Sequence, residues 1–176
     1  MKLFKSWVKF SIIITGFCVL LYFVAHQNLR QNANDPQIQI AHDVVMKLED
    51  GQYATEIVPT ELVDLSKSLN TFIIVFDTNN VPLASNAKLD NTVPTVPEGV
   101  LVYAQNHGEN RLTWQPKPGV RIATIVTKYS GKASGTVLVG RSLTEVEKRE
   151  DMLLNHIILG WLAITVASFV ALMILG

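Results

Sequence analysis

Few side chains in this sequence have a type and spacing suited to chemistry. Its four histidines, His26, His42, His107 and His156, fall into no metal-ligating pattern such as His-Glu-x-x-His. The single cysteine, Cys18, lies in an apolar run with no base beside it. It can neither close a disulfide within the chain nor join a Cys-rich zinc site. Ser66, Ser68, Ser85, Ser130 and Ser134 lack the glycine-flanked surroundings of a nucleophile elbow. The expectation is a protein that is not an enzyme, with no catalytic residue, no metal and no cofactor. Binding chemistry has better candidates in Arg111, Trp114, Arg121 and Tyr129. In an extended segment, a two-residue period places Arg121, Ala123, Ile125, Thr127 and Tyr129 on one face. An arginine aimed inward can fork onto a carboxylate while Trp and Tyr wall the ligand. The competing reading is packing for Trp114 and Tyr129 and a surface ion pair for Arg121.

Hydropathy marks out the elements that must hold these residues. Hydrophobic residues make up 48% of the 176 positions and charged residues 17%, with 15 basic against 15 acidic side chains. Such a composition can bury a core and excludes disorder. Zero net charge without a basic run gives no case for nucleic acid. The apolar residues concentrate at the ends, where residues 10–25 and 157–175 carry no charge. Trp7 and Val8 extend the first run past a snorkelling Lys9, giving a span over 7–25; the second span is 153–175. A cleaved signal peptide is the alternative for the first run. Its cleavage point, after Phe23-Val24-Ala25, has a bulky Phe where a small residue belongs, so an uncleaved anchor is expected.

Lys2, Lys5 and Lys9 hold the N-terminus inside. The expected order is a cytoplasmic tail over 1–6, the first span, an extracytoplasmic domain with helical stalks over 26–152, and the second span. Both termini are then cytoplasmic in a two-pass protein of the cell membrane. The sequence stops after the second span, so output is expected from a separate protein. His26 and His156 fall near the outer interface, as a pH-sensing pair or as ordinary interfacial rings.

Within the outer domain, residues 26–34 read as a stalk continuing the first helix. Asp35-Pro36 starts a new helix, with Asp as N-cap and Pro at the first position. Ile38, Ala41, Val45 and Leu48 then recur at helical spacing up to Gly51. A second helix is expected over 61–69, with Leu62, Leu65 and Leu69 on one face. Strands are expected over 72–76, 81–85, 111–115, 120–129 and 135–140, with a loop over 86–99 and a short helix over 97–106 ending at Gly108. Pro82 assigns 81–85 to an edge, and the polar 111–115 is the other edge. The continuously apolar 72–76 and 136–139 should be central. These features give an α+β domain whose five antiparallel strands, counted along the chain, lie in the order 2-1-5-4-3. Helices are expected before the sheet and against one face.

This arrangement resembles the extracytoplasmic Cache or PAS-like sensor domains of bacterial histidine kinases and chemoreceptors. The residues carrying the resemblance are Asp35-Pro36-Gln-Ile-Gln-Ile40, Ser68-Leu-Asn-Thr-Phe72 with Val75-Phe-Asp77, Thr113-Trp-Gln-Pro116 with Pro118-Gly-Val-Arg-Ile-Ala123, and Gly140-Arg-Ser-Leu143. It covers residues 7–175, chiefly through architecture, and departs from the family in having no signalling domain after the second span. The resemblance implies a small ligand held between the sheet and its covering helices and loop. Arg111-Leu-Thr-Trp114 is similar to the Arg-x-x-Trp element of amino-acid-sensing Cache domains. The anchoring Asp of those domains has no counterpart between Tyr129 and the last helix.

The terminal helices carry signals of their own. Ala163, Ala167 and Ala171 form a small-residue stripe that permits close helix packing. Leu143, Val146, Leu153 and Ile157 fit a heptad seam if Glu150 takes one core position. The natural partner is a second copy, a homodimer embedded in the lipid bilayer. The function implied is a sensory module that binds a small ligand or an envelope partner. It would relay the change through its membrane helices to a separate signalling protein. The alternatives are an accessory membrane subunit whose outer domain binds a protein and no ligand, and the sensor half of a split or truncated histidine kinase.

Overall fold

A computed structural model describes residues 2–32 and 35–175. The N-cap expected of Asp35, and stalk residues 33 and 34, lie outside the described side chains and residues. The chain divides into two compact units, residues 33–145 and the pair of terminal segments 1–32 and 146–176.

In the terminal unit, α1 (Lys2–Asn32) and α5 (Thr144–Leu175) pair antiparallel. Trp7 stacks edge-on against Phe169 at 5.4 Å and donates its indole N–H to the Thr165 carbonyl at 3.3 Å. Further along, Trp161 Nε1 donates to Thr15 Oγ1 at 2.8 Å. The half-buried residues of α1 are Trp7, Ser11, Ile14, Cys18, Tyr22, Ala25 and their neighbours, recurring every three or four positions as a packing seam requires. On α5, Glu150, Leu153, Ile157, Trp161, Thr165, Ser168 and Leu172 do the same. Glu150, Leu153 and Ile157, three positions of the heptad reading, are half-buried. Both helices are long and apolar enough to cross a membrane. Ala163, Ala167 and Ala171 are exposed.

The unit of residues 33–145 is an α+β domain. Helix α2 (Asp35–Glu49) stops where Gly51 takes a φ of 93° and returns its N–H to the Leu48 carbonyl at 3.0 Å. A four-residue helix, α3 (Ala54–Ile57), follows. The main strands are β2 (Phe72–Asp77), β3 (Pro82–Ser85), β5 (Glu109–Lys117), β6 (Val120–Ser130) and β7 (Ser134–Ser142). Two short strands, β1 (Val63–Asp64) and β4 (Ala87–Lys88), pair parallel with each other. The large sheet is antiparallel throughout, in the order β3-β2-β7-β6-β5. Numbered over all seven strands, the order reads 3-2-7-6-5; the expected 2-1-5-4-3 counts five strands and leaves out the short β1 and β4.

The central strands β2 and β7 are buried on both faces, as continuous apolar strands must be. On one face, Ala41, Val44 and Leu48 of α2 pack on Ile73, Val75, Ile125, Tyr129, Val137 and Val139. On the other, Leu101 and Ala104 of α4 (Glu98–His107), with Leu65, Ala87 and Leu89, cover Phe72, Ile74, Phe76, Trp114, Ile122, Val126 and Leu138. Helices therefore lie on both faces, where one was expected. Helix α4 ends at Gly108 (φ 88°), as the sequence indicates. Two β7 glycines make room for large neighbours. A Cβ at Gly135 would strike the Phe76 carbonyl and the Tyr129 hydroxyl, and one at Gly140 would strike the Phe72 ring.

The helix expected over 61–69 does not form. The Asp64 carboxylate accepts the Ser66 hydroxyl at 2.6 Å and the Ser66 backbone N–H at 3.0 Å. These two bonds hold its pKa below the usual 3.8. A local side-chain turn of this kind competes directly with helical hydrogen bonding. The leucine period was misleading: Leu65 is buried, while Leu62 and Leu69 face solvent.

Candidate functional site

The four residues suited to ligand binding are dispersed rather than gathered. Trp114 pairs with Ile122 across β5 and β6, which places it on the α4 face, buried 6.5 Å from the Phe72 ring. Arg111 pairs with Ile125 and so belongs to the opposite, α2 face, with Arg121 and Tyr129. Tyr129 lies eight positions beyond Arg121, about 27 Å along β6. Tyr129 is fully enclosed and donates its hydroxyl to the Phe76 carbonyl at 3.1 Å. Burial, and secondarily the Asp77 carboxylate, push its phenol above the ordinary 10.0. The Arg111 guanidinium pairs with Glu109 on its own strand, and His42 Nε2 lies 3.6 Å from the other Glu109 oxygen. Arg121 is half-buried, and its carbonyl accepts the Leu143 N–H at 2.9 Å. Tyr129 and Trp114 thus do the work of packing, on opposite sides of the sheet.

A cavity forms elsewhere. It has a volume of about 440 Å3 and opens between the β2–β3 hairpin, the 93–96 loop and the start of α4. The size suits a small ligand. Phe76, Pro82, Pro94 and Leu101 supply apolar wall; Asn79, Asn80, Thr95 and Glu98 supply the polar groups. None of Arg111, Trp114, Arg121 and Tyr129 lines it.

Local hydrogen bonding fixes the hairpin wall. Asp77 accepts the backbone N–H groups of Asn79 and Val81, each at 2.8 Å, and Asn80 sits at a φ of 63°. Aspartate at the head of such a turn and asparagine in left-handed geometry are the expected residue types. Gln105 of α4 donates to Asn80 Oδ1 at 3.0 Å and ties the hairpin tip to the helix. Just after β3, Asn86 is buried and ties β2 to the chain ahead of β1. Its Oδ1 accepts the Ile73 N–H at 2.7 Å and its Nδ2 donates to the Glu61 carbonyl at 3.3 Å.

In the sequence Asp77–Asn80 reads as a turn and 86–99 as a loop, and neither carries a residue among the four binding candidates. The cavity arises because α4 brings two segments together that are distant in the chain, and no local pattern encodes that meeting.

Near the end of α1, His26 and Arg30 both approach Glu150, at 3.6 and 3.1 Å. His156 instead bonds its own helix, with Nδ1 2.7 Å from the Met152 carbonyl. The two histidines have separate partners. Among the described residues, no group of three His, Cys, Asp or Glu side chains could hold a metal ion. No protein-family model matches the sequence, and comparison with curated proteins finds no relative.

Proposed function

We propose that this chain is a membrane-anchored sensory module with a Cache or PAS-like outer domain. Lys2, Lys5 and Lys9 keep the N-terminus in the cytoplasm, and two spans return the C-terminus there. The domain binds a small ligand or an envelope partner outside. The change passes through α1 and α5 to a separate signalling protein, with two copies of the chain forming the working unit. Such relay requires the ligand to bind one of two helix arrangements more tightly than the other.

The observation that supports this reading best is the arrangement itself: an α+β domain with a walled cavity, inserted between two membrane-length helices. Helix α5 begins two residues after the central strand β7 ends, so the sheet feeds directly into a span. Thermal-shift screening of the full chain in lipid nanodiscs against metabolites tests the proposal. A stabilising ligand is expected. Its absence, together with specific co-purification of one membrane protein, would replace sensing with the accessory-subunit reading.

A further inference from the structure

Resting on that ligand-binding reading, we infer that the cavity between the β2–β3 hairpin, the 93–96 loop and α4 takes a small organic cation, an ammonium group on an apolar body. Among the described residues that line it, Glu98 is the one charged side chain, and none is lysine, arginine or histidine. A second carboxylate, Asp77, stands behind the hairpin wall and is satisfied by backbone N–H groups rather than by a cation. Among the described residues, neither Glu98 nor Asp77 enters an ion pair.

An acid in the first turn of α4 also offsets the positive end of the helix dipole. That ordinary role strengthens the inference. With its dipole countered and its Val100 N–H already given to the Pro97 carbonyl at 3.0 Å, the helix start is a poor host for carboxylate or phosphate. An ammonium group carries three donors and needs acceptors. The Glu98 carboxylate, the Asn79 amide oxygen and the Thr95 hydroxyl supply them at the same cavity that Phe76 and Leu101 wall. A charge-assisted bond to Glu98 then sets the preference for a cation over a neutral ligand of equal shape.

The test uses the full chain in nanodiscs, with empty nanodiscs as baseline, and three matched probes: phenethylamine, 2-phenylethanol and phenylacetate. Titration calorimetry at neutral pH should show the amine binding about tenfold or more tighter than the alcohol, with no binding of the carboxylate. Glu98→Gln, at an exposed position, should remove the amine's advantage. Thr95→Trp should fill the mouth and abolish binding of the amine. Equal affinity for amine and alcohol, full affinity in Glu98→Gln, or preference for the carboxylate each overturns the inference, as does no binding of any amine. If Thr95→Trp does not fold, Glu98→Gln decides alone. A metabolite screen that yields an anionic or neutral ligand defeats the cation while sensing stands; a screen that yields nothing defeats both.

Discussion

Arg30 Nε donates to Glu150 Oε1 at 3.1 Å, joining the last turns of α1 to the first turns of α5 just beyond their apolar lengths. The Glu150 side chain is only 13% exposed while Arg30 is 47% exposed, so one partner is largely desolvated and the other remains wet. His26 approaches the same oxygen. Half-exposed pairs contribute modestly, and a double-mutant cycle of Arg30→Met and Glu150→Gln should return a coupling of about 0.5–1 kcal/mol in micelle-based unfolding. Raising salt should shrink it. A coupling of zero would mean that the carboxylate holds its seam position without help from the arginine.

Tyr129 makes an alkaline signature. Its phenol is raised above 10.0, chiefly by burial, so the folded domain keeps the proton after an unfolded chain has released it. The folded state then binds more protons than the unfolded one, and stability falls as pH rises. The contribution is complete below pH 10.0 and is lost as pH climbs through the raised value. Tyr129→Phe should flatten that alkaline limb in pH-dependent denaturation. It should also lower stability by about 1 kcal/mol near neutrality, because the Phe76 carbonyl loses its donor. An unchanged alkaline limb in the variant would assign the loss of stability to other groups.

Asn86 is a polar residue in an apolar place, and its substitution should be costly. Its side chain caps the Ile73 N–H and reaches the Glu61 carbonyl, while its backbone accepts from Val63 at 2.7 Å and donates to Ile73 at 3.1 Å. Asn86→Leu leaves the buried Ile73 N–H unpartnered, a loss of about 1–3 kcal/mol in denaturant unfolding. Hydrogen exchange should quicken at Ile73 and across β1 and β4, since Asn86 joins those strands to the main sheet. A loss under 0.5 kcal/mol would mean that water replaces the amide, roughly the size of a neutral surface change.

The elements legible in the sequence are those whose own residues settle their environment. Phe72–Phe76 and Thr136–Val139 are apolar on both faces, so only a central position satisfies them. Pro82 fixes an edge strand and Gly108 a helix end. The two helices long and apolar enough to cross a membrane follow from uncharged length alone. What was hidden depends on competition or on distant contact. Leu62, Leu65 and Leu69 keep helical spacing, yet the Asp64–Ser66 turn wins locally. Trp114 and Tyr129 look alike as binding aromatics, but strand register sends them to opposite faces. The cavity pairs a hairpin tip with a helix start about twenty residues later, and nothing in either segment alone foretells the meeting.

Orientation can be tested through the single cysteine. Cys18→Ala gives a cysteine-free chain, and Thr78→Cys then places one thiol at the exposed β2–β3 turn. With Lys5 before the first apolar run and Lys9 at its start, the positive-inside rule predicts residues 1–6 in the cytoplasm and that turn outside. A membrane-impermeant maleimide should label intact cells nearly as fully as lysed ones. Replacing Lys5 and Lys9 by Glu, and Gln27 and Gln31 by Lys, moves the positive charge to the other flank of the same span. Labelling in intact cells should then fall severalfold, while lysed cells label as before. Equal labelling of the two variants would mean that the outer domain, rather than the flanking lysines, decides which side it occupies. Labelling of the first variant only after lysis would place the domain in the cytoplasm and end the extracytoplasmic reading.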